Sequence, residues 1–125
     1  MARVTGIGGI FFKSADIAKL GAWYREHLGI KIDENSANFT WREDDGSPGM
    51  TVLGLFAKDS TYFADSHANF MINYRVDDLD AMLKQLRAAG VTVDHKVEEH
   101  EYGRFGWFTD PDGTRVELWE PPKKA

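Results

Sequence analysis

The chain has 125 residues, no cysteine and a formal net charge of -5, with 42% hydrophobic and 28% charged residues. That size suits a single domain able to bury its own core, and the lack of cysteine excludes disulfides and thiolate metal sites. Basic residues are scattered and no apolar run approaches the roughly 20 residues of a membrane span, so nucleic acid and membrane partners are set aside.

The N-terminus carries one Arg and a short Gly-rich apolar stretch rather than a secretory leader, and a cytoplasmic setting is expected. Ile10-Phe11-Phe12 reads as a strand ending on Lys13. Asp16 is a candidate N-cap, because its carboxylate accepts from the free N–H groups of a first helical turn. Ile17, Leu20, Tyr24 and Leu28 then make one apolar stripe at helical spacing, and Gly29 ends it. A short strand is expected at Ile30-Lys31-Ile32. A hairpin follows, with Phe39 to Arg42 and Met50 to Phe56 flanking an acidic, Gly-Pro turn. Residues 58–68 read as a linker.

The second half repeats this order. Phe70 to Tyr74 is an aromatic strand ending on Arg75, and Asp78 is the next candidate cap. Leu79, Met82, Leu83 and Leu86 form the second stripe, with Gly90 beyond it and a short strand at Val91-Thr92-Val93. Residues 94–102 form an acidic loop. Arg104 to Thr109 and Thr114 to Trp119 flank Asp110-Pro111-Asp112-Gly113, where Pro presets φ and Gly accepts a positive φ. Residues 10–17 align with residues 72–79, an offset of 62 residues, and strand, cap, stripe and terminal glycine all correspond. The fold class is therefore α+β: two βαβββ modules, at about residues 5–57 and 69–121, within one domain.

A paired βαβββ unit resembles the vicinal oxygen chelate superfamily, also known as the glyoxalase, bleomycin resistance and dioxygenase family. The resemblance runs from about Thr5 to Pro121. It is carried most specifically by Tyr102 to Glu120, from the aromatic strand through the Asp-Pro-Asp-Gly turn to Glu117-Leu118, and by Ala22 to Gly29 on the first helix. It implies that each module curls its sheet into a cup, that two cups enclose a ligand cleft, and that the chain forms a homodimer.

The resemblance further implies four metal-ligand positions, one on the first and one on the last strand of each module. They fall on Gly9, on the strand Thr51 to Phe56 with no His, Asp or Glu, on Met71, and on Glu117. One carboxylate cannot hold a catalytic metal by itself. The expectation is a cleft with no metal and no other cofactor. Of the histidines, His27 sits late on a helix, where it complements the dipole. His67 precedes the fifth strand and turns toward the cup only if that strand's register shifts. His95 and His100 lie in the acidic loop, where His100 with Glu99 or Glu101 is a candidate catalytic group.

Alternation along strands sets the cup face. Gly9, Phe11, Met71, Asn73, Phe105, Trp107, Glu117 and Trp119 face it, with Phe39 and Trp41 added from module one. Phe12, Tyr24, Phe70 and Tyr74 read as core. The candidate ligand-binding residues are Phe11, Trp41, Asn73, Phe105, Trp107 and Trp119. Glu117 is the candidate catalytic acid or base, its pKa raised by burial.

Three functions fit. The first is metal-free binding of a small apolar or aromatic molecule. The second is a lyase, isomerase or dioxygenase-type enzyme using Glu117 or a non-standard metal site. The third is an interaction module with a filled cleft.

Overall fold

The computed structural model describes residues 2–64 and 66–123. Met1, Asp65 in the linker, and Lys124 and Ala125 in the tail lie outside the described residues. Module one contains β1 (Val4–Ser14), α1 (Ile17–Leu28), β2 (Ser36–Arg42) and β3 (Pro48–Ala57). Module two contains β4 (Phe70–Val76), α2 (Leu79–Ala88), β5 (Thr92–Val93), β6 (Glu98–His100), β7 (Gly103–Thr109) and β8 (Arg115–Glu120). A single 3₁₀ turn, Thr61–Phe63, stands between them.

All eight strands form one mixed sheet in the order β2-β3-β1-β4-β8-β7-β5, with β6 added beside β7. Within each module the first strand runs parallel to the last, β1 to β3 and β4 to β8, while β1 and β4 run antiparallel at the centre. That central pairing joins the two modules inside one chain.

The helix boundaries follow from capping chemistry. The Asp16 and Asp78 carboxylates each accept a backbone N–H three residues on, at 3.0 Å. The helices stop where Gly29 and Gly90 take the left-handed conformation, at φ 66° and 82°. α2 lies on one face of the sheet, where Leu79 and Leu83 pack with Val76 and Leu118, backed by Tyr74 and Phe108. α1 is held more loosely: Gly21 is its one fully buried residue, and Trp23 and Leu28 stay about half exposed.

Several elements differ from the sequence reading. Residues 30–32 form no strand, and an isolated bridge between Asp33 and Ser36 takes their place. Ile32 still buries its side chain against Gly21 of α1, so its apolar character serves helix packing rather than a ladder. The loop over 94–102 contains a strand, β6, because Glu98 to His100 extend the edge of β7. The linker is not a bare connection. Its 3₁₀ turn, capped by the Ser60 side chain, inserts a fully buried Phe63 and a half-buried Tyr62 into the opposite face of the sheet from α2. Phe70, read as core, is exposed.

Candidate functional site

One row of directly opposed residues crosses the concave face of the sheet. Asn38 faces Val52, Val52 faces Gly9, Gly9 faces Asn73, Asn73 faces Glu117, and Glu117 faces Trp107. Opposed residues share a face, so the row is the floor of the cup. Above it lies a cavity of about 490 Å³, within the range of small-molecule pockets. Its walls are mostly apolar, with Phe11, Val52, Phe56, Phe105 and Trp119 among them, and its polar side chains include Asn73, Glu98, His100 and Glu117.

Glu117 is the centre of the floor, with 1% of its surface exposed. Three donors converge on its carboxylate. The Tyr62 hydroxyl and the Trp107 indole N–H, the latter at 2.9 Å, donate to Oε2, and the Asn73 amide donates to Oε1 at 2.6 Å. Burial nevertheless pushes the Glu117 carboxyl above its ordinary value, with the three hydrogen bonds and the nearby Arg115 charge opposing the shift. The Tyr62 phenol is also raised, first by burial and then by the Glu117 charge, and stays neutral as a donor.

Asn73 is equally buried, with 2% exposed, and its Oδ1 has no hydrogen-bond partner. That oxygen lies against Gly8, where β1 slips register between Ile7 and Gly9. A Cβ at Gly8 would collide with Asn73 Oδ1 and stand 2.8 Å from the Trp119 ring. Glycine is required there by close approach, and a metal-ligating side chain has no room.

The structure brings Phe11, Asn73, Phe105, Glu117 and Trp119 around the one cavity. Trp107 faces the same side but sits beneath it, packed with Phe63 and Met71 and bonded to Glu117. Trp41 is elsewhere. The β2 register pairs Asn38 with Val52 and Trp41 with Gly49, so Phe39 and Trp41 lie on the face opposite Met50 and Val52, which line the cavity. The Trp41 indole donates to Thr51 at 2.8 Å, and its ring stands 5.3 Å from the Arg75 guanidinium.

His100 does reach the cavity rim. It pairs with Glu98 at 2.9 Å rather than with Glu99 or Glu101, since Glu99 is held by Arg104 at 3.0 Å. His27, His67 and His95 do not line it.

Sequence reading missed Tyr62, which lies 55 residues from Glu117 along the chain. The available signal was an aromatic pair, Tyr62-Phe63, in a segment otherwise polar enough for a linker.

The metal positions implied by the family also shift. Met71 is opposite Phe11, one row away from Glu117, and is fully buried against Phe63 and Trp107. The β4 position beside Glu117 is Asn73. The floor row therefore offers Val52, Gly9, Asn73 and Glu117, with one carboxylate whose oxygens already receive three hydrogen bonds. Among the described residues no group of three or more His, Cys, Asp or Glu comes together. This donor set does not fit a divalent ion.

Two strand–helix–strands modules that pair their first strands and cup one sheet around a central cleft match the vicinal oxygen chelate fold. The chain belongs to the Glyoxalase/Bleomycin resistance protein/Dioxygenase superfamily, whose family model matches residues 6–118. It is 28% identical over 115 residues to the uncharacterized protein YaeR of Escherichia coli K12, an alignment covering 86% of this chain and 89% of that one. Among solved structures it is similar to a Streptomyces coelicolor methylmalonyl-CoA epimerase in complex with 2-nitronate-propionyl-CoA. That likeness has a TM-score of 0.70 and 21% identity, covering 97% of this chain and 100% of the other. The methylmalonyl-CoA epimerase of Mycobacterium tuberculosis aligns with a TM-score of 0.60 and 22% identity, over 96% and 90% of the two chains. These structural likenesses show the fold.

Proposed function

We propose that this chain binds a small, largely apolar or aromatic molecule in the cleft, without a metal. The observation that carries the reading is the cavity itself: apolar walls closing on a buried, hydrogen-bonded carboxylate where relatives of this fold place metal ligands. The walls supply affinity by burying ligand surface, and Asn73, Glu117 and Tyr62 fix orientation. Trp119 in the wall offers a fluorescence reporter.

Purified protein is expected to carry no stoichiometric metal, and its melting temperature to be unmoved by Mn, Ni, Zn or Fe. Quenching of tryptophan fluorescence by small aromatic compounds is expected instead. A rise of several degrees with any of those ions, lost in Glu117→Gln, would sink the metal-free reading. Lack of quenching by every aromatic compound tried would count against the ligand cleft.

A second reading is favoured by the Tyr62–Glu117 contact. The epimerases similar to this chain act on CoA esters by their names. Here Glu117 lines the cavity and its Oε1 accepts one hydrogen bond, from Asn73, so that oxygen has a lone pair with which to take a proton from a C–H beside a carbonyl. The electron pair left behind moves onto the carbonyl oxygen, and return of the proton restores the neutral product. Deuterium uptake by methylmalonyl-CoA in D₂O, followed by NMR, tests this. Catalysed exchange that falls at least about 100-fold in Glu117→Gln supports it, and exchange at the uncatalysed rate excludes it for this substrate.

A homodimer is part of the same proposal, and sedimentation equilibrium decides it.

A further inference from the structure

Taking the cleft as a small-molecule site, as proposed above, we infer that its ligand is an organic cation: a protonated amine carried on an aromatic or apolar body. The charge of the lining points there. Among the described residues two carboxylates, Glu98 and Glu117, line the cavity and no Lys or Arg does; Glu98 is paired with Lys96 and His100, which leaves Glu117 for a ligand. The nearby cations are already engaged. Arg115 pairs with Asp94 at 2.8 Å, and Arg75 lies 3.7 Å from Glu43 with its guanidinium 5.3 Å from each of the Trp41 and Trp119 rings. Lys96 is bound to Glu98 at 2.9 Å. Among the described residues of the lining, a carboxylate or phosphate ligand would find no Lys or Arg and would meet Glu117.

Among the described residues three buried side-chain atoms have no hydrogen-bond partner, Asn73 Oδ1 and the Nε of Arg75 and of Arg115, and of these residues only Asn73 lines the cavity. Asn73 Oδ1 is buried without any partner, and leaving such a group unpaired is costly. Glu117 Oε1 accepts from Asn73 alone, while Oε2 holds both Tyr62 and Trp107. A floor with an unpaired Asn73 Oδ1 beside a Glu117 Oε1 that accepts one bond favours a ligand with several N–H groups. A primary ammonium brings three, whereas a hydroxyl brings one and a carboxylate none.

The walls suit the same ligand. Phe105 and Trp119 lie with parallel planes in the cavity wall, and Phe11, Phe56, Tyr62 and Tyr102 add further rings. Aromatic faces attract a desolvated cation through the ring quadrupole. They also bury an apolar body.

Calorimetry on the full chain at pH 7.5 tests this with three probes of matched size: 2-phenylethylammonium, 2-phenylethanol and 3-phenylpropionate. The ammonium is expected to bind at least about tenfold more tightly than either of the others, a difference of about 1.4 kcal/mol. Glu117→Gln is expected to remove that preference, with the ammonium no tighter than 2-phenylethanol. The substitution keeps the shape of the side chain, and its melting curve reports whether it folds. A second variant, Val52→Lys, places a cation across the same row, and is expected to weaken the ammonium and strengthen 3-phenylpropionate. Equal or tighter binding of the carboxylate to the unsubstituted chain overturns the inference, as does an unchanged ammonium affinity in both variants. If 2-phenylethanol binds and the ammonium does not, the cleft survives as an apolar site and the cation is wrong. If none of the three binds, both readings fall.

Discussion

The two modules place different chemistry at the same points of one lattice. In module one the first and last strands oppose Gly9 to Val52, and in module two they oppose Asn73 to Glu117. Both pairs lie on the floor of the cup, joined through the Gly9–Asn73 contact at the centre of the sheet. Of these two pairs, the first supplies space and apolar wall, and the second supplies the buried amide and carboxylate. Their helices differ in the same sense. α2 buries Leu79 and Leu83 completely, while α1 presses little more than Gly21 against its partner residues. Duplication has fixed the scaffold of both halves and left their sites free to diverge, and the polar site has settled on the more tightly packed half.

The largest expected effect comes from breaking module two where its core meets its site. Leu83→Ala should cost about 2–5 kcal/mol of stability, since it removes a buried aliphatic group from the packed face of α2. A truncation on the helix of module one, Leu28→Ala, should cost well under 1 kcal/mol, because Leu28 is more than half exposed. Equal losses in denaturant melts would erase the asymmetry between the modules.

Next in size is a charge transplanted into module one. Val52→Glu should lower stability by about 1–3 kcal/mol, because the new carboxylate lacks the three donors that meet Glu117. It should create no Mn or Ni binding site, since Gly8 and Gly9 offer no ligand across the row. Metal-dependent stabilisation of this variant would show that a single carboxylate is all that separates the two halves.

Tyr62→Phe should cost about 1–2 kcal/mol by leaving one lobe of Glu117 without its phenol, and should raise the Glu117 pKa further. Infrared spectroscopy of the carboxyl stretch across pH reads that shift directly.

The pH dependence sharpens the same point. Burial sets the Glu117 pKa above 4.5, its ordinary value, so the folded chain holds this proton more tightly than the unfolded chain does. The resulting stability is fully present below the unfolded value and is lost as pH rises from about 4.5 through the raised value. Relative to Glu117→Gln, the unsubstituted chain should therefore lose stability as pH climbs through that window. A flat difference between the two proteins from pH 4 to 8 would contradict the burial argument.

The smallest effect is expected at Trp41. Trp41→Phe removes a hydrogen bond to Thr51 and should cost about 1 kcal/mol, with ligand affinity unchanged, because the side chain is on the far face of β2. Loss of affinity in that variant would restore Trp41 to the cleft.

Much of this arrangement was legible in the sequence, for local reasons. Helix starts are written in Asp16 and Asp78 because an N-cap acts within one turn, and their ends in Gly29 and Gly90 because few other residues take a positive φ easily. Alternation placed Phe11, Asn73, Phe105, Glu117 and Trp119 on one face because the period of a strand is two, wherever its neighbours lie. The repeat itself carried the topology, and the family resemblance named the fold.

What the sequence left undetermined depends on contacts between distant segments. Parity within β2 puts Phe39 and Trp41 on one face and Asn38 and Thr40 on the other, but could not say which face was concave. Only the pairing of Asn38 with Val52 decided it, and that moved Trp41 out of the site. The neighbour of Glu117 is Asn73 rather than Met71 because the register between β4 and β8 fixes it. Tyr62 reaches the carboxylate only because a 3₁₀ turn folds the linker into the cup. Capping and strand alternation are properties of a few consecutive residues, so the sequence by itself determined the two modules and their inward faces. Register and loop insertion are set by the packing of the whole sheet, so only the tertiary structure decided which side chains surround Glu117.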